Sequence, residues 1–175
     1  MNYQTIVVDN FFENPYSIIE YSKKNLFIPP NKKDPEQKWL GTRTTNLHST
    51  NKKLFEFIVS KVLSFYFDVS KNDIIYNAKV YFHKSKNLKY DKKSLIHKDY
   101  GPHIAGLIYL NKNNDINTGT TIYDDKLNES LIVSNKFNSM ICYDAKKLHG
   151  PTSLDTDRLT IPFFIHIISI SEKLL

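Results

Sequence analysis

The sequence predicts an α+β fold in which N-terminal helices back a β-sandwich or barrel. Three observations support this prediction. Two helical patterns precede Ile74, the hydrophobic period changes from 3.6 to two at about that residue, and strand-like segments separated by short polar turns follow it. The 175 residues suit a single domain, with residues 1–73 as helical support and substrate loop and residues 74–175 as the β core.

The N-terminal part begins with a short predicted strand at Thr5–Asp9. Asn14–Pro15 then supplies an N-cap and a first-turn proline for a helix over Tyr16–Lys24. Ser49–Thr50 is expected to cap a second helix, because apolar residues recur after it at three- and four-residue spacing. That apolar stripe, which predicts a core-facing helix side, consists of Leu54, Phe55, Ile58, Val62 and Phe65.

A polar, proline-containing loop is predicted between the two helices. It runs from Pro29 to Gln37 and leads to Trp39–Thr45, which holds the only tryptophan and an isolated arginine, Arg43. A packed aromatic ring and a solvated charge would explain both residues. Loops carry binding residues more often than framework elements do, so we also consider Arg43 a candidate contact for an anionic substrate group.

The second half reads as a succession of short strands. Gly150–Pro151 is expected to end any extended pairing, since proline cannot donate to a strand ladder. The predicted strands are Ile75–His83, His103–Leu110, Gly119–Tyr123, Ser130–Val133, Ser139–Tyr143 and Arg158–Ile170.

Composition narrows the class of protein. Hydrophobic residues make up 41% and charged residues 24%, which is typical of a folded soluble chain. The single cysteine, Cys142, excludes an intrachain disulfide and indicates a cytoplasmic protein. No apolar run approaches the ~20 residues of a membrane span, so no membrane partner is expected. The net charge of +6 comes from scattered lysines, which favour solubility over nucleic-acid binding.

The stretch Leu95–Tyr100 contains the first chemically informative motif. His97 and Asp99 are two residues apart, so in an extended segment their side chains share one face. His149 follows 50 residues after Asp99 (149 − 99), which is room for several strands to leave and return. Two imidazoles and one carboxylate suit a non-haem Fe(II) centre with open positions, and zinc would accept the same ligands.

Arg158 begins the most hydrophobic predicted strand, nine residues after His149 (158 − 149). Its phase along the strand places it on one face with Thr160 and Pro162. A desolvated arginine needs an anionic partner, either a buried Asp or Glu or a ligand carboxylate bound by the guanidinium fork. The sequence favours the ligand carboxylate.

The order His97-x-Asp99, His149, Arg158 resembles that of the Fe(II)/2-oxoglutarate-dependent oxygenases, and within them the prolyl-hydroxylase-like branch. Ile108–Asn111 is similar to that branch's strand after the His-x-Asp motif. The segment Gly119–Tyr123 resembles its Gly-Gly strand, with Thr120 in place of one glycine. The resemblance extends from about Val80 to Ile168, half of the chain.

This resemblance implies a double-stranded β-helix (jelly-roll or cupin-like) core backed by the N-terminal helices. It further implies that His97, Asp99 and His149 bind Fe(II), and that Arg158 and Tyr109 hold the far carboxylate of 2-oxoglutarate, assisted by Thr160. The implied activity is dioxygenase hydroxylation of a substrate C–H bond with O2. In that reaction 2-oxoglutarate is decarboxylated to succinate and CO2, with ascorbate as a reductant.

The substrate stays open: a protein side chain such as prolyl, or a small molecule. Candidate substrate contacts are Arg43, Tyr100, His83 and Phe164. The main alternative is a non-enzymatic or differently metallated cupin-like binding module. A nucleic-acid demethylase is disfavoured, because that branch usually carries a second arginine a few residues beyond the first, and Arg158 is followed by none. The oligomeric state is also open.

Overall fold

The structure is a computed structural model that describes residues 2–31, 39–86, 91–112 and 115–173. A 3-10 turn at Lys92–Leu95 precedes the His-x-Asp segment. Within those ranges no helix has the length and apolarity needed to cross a bilayer. The elements in chain order are β1 Ile6–Val8, α1 Pro15–Lys23, β2 Thr42–Arg43, α2 Leu47–Thr50, α3 Lys52–Ser64, β3 Asn72–Val80, β4 His83–Ser85, β5 Ile104–Tyr109, β6 Asp115–Tyr123, β7 Glu129–Asn135, β8 Met140–Asp144, β9 Leu148–Pro151 and β10 Arg158–Glu172.

The strands form two antiparallel sheets, and the predicted α+β plan is confirmed. The larger sheet has the order β1-β8-β5-β10-β4-β2, and the smaller sheet has the order β7-β6-β9. The long strand β10 organises the larger sheet. One of its edges pairs with β5, while β4 and then β3 pair along the other edge.

The two faces of the larger sheet pack against different partners, because side chains alternate along each strand. The outer face, with Ile108 and Phe163, joins the apolar stripe of α3 in the main core. The inner face, with Ala105, Tyr109 and Tyr143, packs towards the smaller sheet. Facing sheets with helices on one outer surface are the arrangement expected of a double-stranded β-helix.

The helix starts are set by asparagine side chains. Asn14 accepts a hydrogen bond from the Ser17 backbone N–H at 3.1 Å, as predicted for α1. The predicted cap of the second long helix was wrong, because Ser49–Thr50 lies inside the short helix α2. Asn51, with an extended φ of −154°, caps α3 instead by accepting from the Leu54 N–H at 3.1 Å.

Three strand predictions need correction. The predicted strand Ile75–His83 is two strands, β3 and β4. Gly150–Pro151 does not end pairing: both residues pair with β6, because β9 is an edge strand and its last residue needs no N–H donor. Thr42–Arg43, expected in a loop, forms β2 on the edge of β4. Most of the predicted loop Pro29–Gln37 lies outside the described residues.

Candidate metal centre

Backbone pairing brings the two histidines of the predicted site together. The His97 N–H donates to the His149 carbonyl and the His149 N–H donates to the His97 carbonyl, both at 2.9 Å. Two residues on, the Asp99 N–H donates to the carbonyl of Ala145 at 2.9 Å. The His-x-Asp segment therefore lies along the turn that leads into β9, and one short ladder sets the spacing of all three side chains.

The three predicted metal ligands converge. One ligand atom from each of His97, Asp99 and His149 lies within 4.8 Å of the others. Asp99 Oδ1 is 3.6 Å from His97 Nε2, and Asp99 Oδ2 is 3.4 Å from His149 Nε2. Convergence of two ring nitrogens and a carboxylate on one point is the donor set expected for a divalent transition metal.

Backbone carbonyls fix the tautomer and orientation of both rings. His97 Nδ1 lies 2.8 Å from the Leu95 carbonyl oxygen, and His149 Nδ1 lies 2.9 Å from that of Lys147. A carbonyl only accepts, so each Nδ1 carries the proton and each Nε2 presents a lone pair. This outer hydrogen bond is the one that metal-ligating histidines normally make.

Burial and charge complete the fit to a metal. His149 is buried, with 7% of its side chain exposed, and that burial lowers its pKa and keeps the ring neutral. The neighbouring Asp99 carboxylate raises the pKa of His97, which is more exposed. Asp99 Oδ2 is buried without a hydrogen bond among the described residues. A bound cation would satisfy this oxygen and both Nε2 lone pairs.

A second group of predicted residues lies on the inner face of the larger sheet. Arg158 is buried at 7% exposure, and its guanidinium carbon is 5.8 Å from the centre of the Tyr109 ring. Thr160 pairs directly with Tyr109 across the strands. Tyr143, whose ring is 4.6 Å from that of His149, lies on the same inner face as Tyr109. The structure thus places the predicted 2-oxoglutarate residues on the sheet face that leads, through Tyr143, to the predicted metal ligands.

Thr120 had no predicted role. Its Oγ1 accepts a hydrogen bond of 2.8 Å from the hydroxyl of Tyr109, which is fully buried. Burial raises the pKa of Tyr109, so the phenol keeps its proton. From the sequence, Thr120 only replaces a glycine of the strand that β6 resembles, because its contact with Tyr109 depends on how the two sheets stack.

The candidate substrate residues lie in two places. In the strand register Arg43 is opposite His83, and His83 is opposite Thr160, so these three residues lie in one row across the sheet. The Arg43 guanidinium carbon is 5.9 Å from the centre of the Phe164 ring. Tyr100, by contrast, is 90% exposed on the loop that follows Asp99.

No protein-family model matches the chain, and no curated protein matches its sequence. Solved structures do. A prolyl hydroxylase from Trichoplax adhaerens, in complex with a hypoxia inducible factor oxygen degradation domain peptide fragment, superimposes with a TM-score of 0.65 over 93% of this chain and 83% of its own, at 13% identity. A viral collagen prolyl hydroxylase from Paramecium Bursaria Chlorella virus-1 gives a TM-score of 0.58 over 92% of this chain and 94% of its own, at 14% identity.

A third similar structure belongs to an enzyme that is not a prolyl hydroxylase. A non-heme alpha ketoglutarate dependent epimerase from nogalamycin biosynthesis gives a TM-score of 0.62 over 99% of this chain and 81% of its own, at 10% identity. At such low identities the similarity concerns the fold. The chain has the double-stranded β-helix fold of the Fe(II)/2-oxoglutarate-dependent oxygenases, with prolyl hydroxylases among the structures it resembles.

Proposed function

We propose that the protein is an Fe(II)- and 2-oxoglutarate-dependent dioxygenase that hydroxylates a C–H bond of a peptide side chain or a small molecule. One observation carries the proposal: two Nε2 lone pairs and a carboxylate converge within 4.8 Å, beside an inner sheet face that holds a buried arginine. Three protein ligands leave the adjacent positions that an oxidisable cosubstrate and O2 require. The similar folds of prolyl hydroxylases and of an alpha ketoglutarate dependent epimerase support it.

In this proposal His97, Asp99 and His149 hold the iron. When bound, ferrous iron supplies the oxidation of the substrate C–H bond by O2, coupled to decarboxylation of 2-oxoglutarate to succinate and CO2. The protein supplies geometry. The carbonyls of Leu95 and Lys147 hold the two rings with Nε2 towards the metal, which keeps the ligand set in place before the metal arrives.

Arg158 and Tyr109 bind the far carboxylate of 2-oxoglutarate, with Thr160 beside them. The guanidinium can donate two parallel hydrogen bonds to a carboxylate, and burial strengthens them. The Tyr109 hydroxyl is protonated and can turn from Thr120 to the incoming anion. Residues 1–73 then serve as the support for this core and supply the Arg43 side of the substrate pocket.

Anaerobic titration tests the proposal. Ferrous iron and 2-oxoglutarate added under nitrogen should produce the visible charge-transfer absorption of an iron-chelated 2-oxo acid. Air and ascorbate should then give slow succinate release without added substrate. His149→Ala should abolish both signals, and Arg158→Ala should weaken 2-oxoglutarate binding by about tenfold or more. His48→Ala, at an exposed histidine of α2, is the matched control and should keep both.

The competing function, a cupin-like binding module with another metal, predicts a different outcome. Such a module would bind a divalent metal at the same three residues. It would develop no charge-transfer absorption with 2-oxoglutarate, and Arg158→Ala would leave its ligand binding intact. Metal binding without a 2-oxoglutarate signal would therefore decide for the module and against the oxygenase.

A further inference from the structure

A cluster of one arginine and three aromatic rings lies beside the proposed metal centre. The guanidinium carbon of Arg43 is 4.5 Å from the centre of the Trp39 ring, 5.6 Å from that of Tyr81 and 5.9 Å from that of Phe164. We call these four residues the Arg43 cluster. Arg43 comes from β2, Trp39 from the loop before it, Tyr81 from the connection between β3 and β4, and Phe164 from β10, so tertiary structure assembles the cluster.

The loop that carries Trp39 is held rigidly against β4. Gly41 has a φ of +92°, and a Cβ there would lie 2.1 Å from the Lys84 carbonyl oxygen, so only glycine permits this approach. His83 Nε2 donates to the carbonyl of Leu40 on the same loop. The backbone of the two residues after Trp39 is therefore held in place, which restricts the position of the indole as a preorganised binding site requires.

The aromatic rings leave the hydrogen-bonding edge of the guanidinium available. Rings contact a guanidinium through its flat faces, whereas carboxylates bind its edge. Arg43 Nε is buried without a hydrogen-bond partner among the described residues, and so is the Trp39 indole Nε1 on the ring that covers it. A desolvated cation and a desolvated N–H donor together favour an incoming acceptor that carries negative charge.

Arg43 interacts electrostatically with Asp99, one of the proposed metal ligands. Burial lowers the pKa of Arg43 to about 10, an effect that the electrostatic influence of Tyr81 and Asp99 partly opposes. No carboxylate in the described part of the chain forms an ion pair with Arg43, and Asp99 is the carboxylate assigned to the metal. The Arg43 guanidinium is thus close to the proposed metal centre and can bind the anionic group of a ligand.

We propose that the Arg43 cluster binds a carboxylate group of the substrate and so sets the substrate class as organic acids. Arg43 grips the carboxylate through its fork, Trp39 Nε1 offers a further donor, and Phe164 and Tyr81 contact the apolar part of the substrate. The site differs from the 2-oxoglutarate site, which belongs to Arg158. That the bound acid is a substrate rests on the proposed oxygenase function, whereas carboxylate binding at the Arg43 cluster can be measured without it.

The only tryptophan of the chain lies in the cluster, so its fluorescence reports binding directly. Carboxylic acids from acetate to 4-phenylbutyrate, each paired with its neutral primary amide, should be titrated into metal-free protein and into protein with Mn(II) and 2-oxoglutarate. A glutamyl peptide, acetyl-Gly-Glu-Gly-amide, and its glutaminyl counterpart separate a protein side chain from a free acid. We expect at least one acid to bind about tenfold more tightly than its amide.

Variants locate the effect. Arg43→Gln should remove the preference for acid over amide, and Arg43→Lys should retain part of it because the charge remains. Lys84→Gln is the matched control, since Lys84 is a neighbouring cation that contacts Phe27 and is exposed. Lys84→Gln should leave the preference for acid over amide unchanged. Arg158→Ala should keep the preference, because the acid is expected at the Arg43 cluster.

Three outcomes would overturn the inference: no acid binds better than its amide, Arg43→Gln keeps the preference, or Arg158→Ala abolishes it. Circular dichroism and thermal unfolding of Arg43→Lys guard against misreading a folding defect of Arg43→Gln. Failure of the oxygenase proposal is distinguishable, because it would remove the 2-oxoglutarate absorption while the titration of metal-free protein with acids still gives its own answer.

Discussion

The backbones of His97 and His149 are hydrogen-bonded to each other in both directions at 2.9 Å, although 52 positions (149 − 97) separate them in the chain. This two-residue bridge joins the segment before β5 to β9 of the smaller sheet. The distance between the two imidazoles is therefore controlled by backbone pairing, and small changes in that pairing should appear first in metal affinity.

Gly150→Ala tests this control. A Cβ at Gly150 would lie 3.0 Å from the Leu95 carbonyl oxygen, which accepts the hydrogen bond from His97 Nδ1, so the bridge must shift by a few tenths of an ångström. We expect Mn(II) affinity to fall roughly tenfold, as for changes in the outer shell of metal sites. Calorimetric titration measures the affinity, and circular dichroism checks that the fold persists. Unchanged affinity in a folded variant would contradict control by the bridge.

Metal binding should stabilise the fold through Asp99. A metal at 100 times its dissociation constant adds about 2.7 kcal/mol to the free energy of unfolding when only the folded chain binds it. Asp99→Asn removes the anionic ligand, so Mn(II) should no longer raise the unfolding temperature. His166→Ala, at an exposed histidine stacked on His103, should keep the full increase. Retained stabilisation in Asp99→Asn would place the metal elsewhere.

The convergence of His97, Asp99 and His149 could be predicted from sequence, and the Arg43 cluster only in part, for a physical reason. Metal chemistry restricts the ligands to few residue types, and the two-residue strand period places His97 and Asp99 on one face whatever the rest of the chain does. Arg43 was recognised as a candidate. Its neighbours depend on the backbone pairing of Arg43 with His83 and on the close approach of Gly41 to Lys84, residues that are 43 positions (84 − 41) apart in sequence.

The contact of Thr120 with Tyr109 could not be predicted from the sequence, for a similar reason. Its hydroxyl meets Tyr109 only because β6 of the smaller sheet stacks over β5 of the larger one. Nothing local in Gly119–Tyr123 specifies that stacking. Likewise, Asn46 caps α2 and Asn51 caps α3, although Ser49 and Thr50 between them are also residue types that favour N-caps.

Removing one partner of the Tyr109–Thr120 hydrogen bond should lower the free energy of unfolding more than removing both partners. Thr120→Val leaves a fully buried phenol without its acceptor, which costs about 1–3 kcal/mol of unfolding free energy. Tyr109→Phe combined with Thr120→Val removes both partners and should recover much of that loss. Urea unfolding of both single variants and the double variant gives the coupling energy. Additive effects would mean that the hydrogen bond contributes little.

Acid should destabilise the protein partly through His83. Burial, reinforced by Arg43 and Arg158, lowers the pKa of His83 from 6.5 to about 4. Between these values the unfolded chain binds a proton at His83 that the folded chain does not. This contribution is therefore full above pH 6.5 and is lost as the pH falls towards 4.

His83→Gln tests that assignment, because glutamine can still donate to the Leu40 carbonyl but does not titrate. Between pH 7.5 and 5 the variant should lose less stability than the wild type, by on the order of 1–2 kcal/mol after allowance for partial exposure. His149, whose pKa is also lowered, keeps some pH dependence in both proteins. His48→Gln, at an exposed histidine, should follow the wild type, and equal slopes for His83→Gln would refute the assignment.

Gly41→Ala should separate the Arg43 cluster from the metal centre. A Cβ at this position would meet the Lys84 backbone at 2.1 Å, and alanine disfavours the φ of +92°, so the loop must leave β4 and carry Trp39 with it. We expect red-shifted tryptophan fluorescence and loss of the acid-over-amide preference. Mn(II) affinity should stay within about twofold, because residues 97–99 and 149 are held by pairing that does not involve this loop. Equal losses of metal and acid binding would mean that the two sites form one unit.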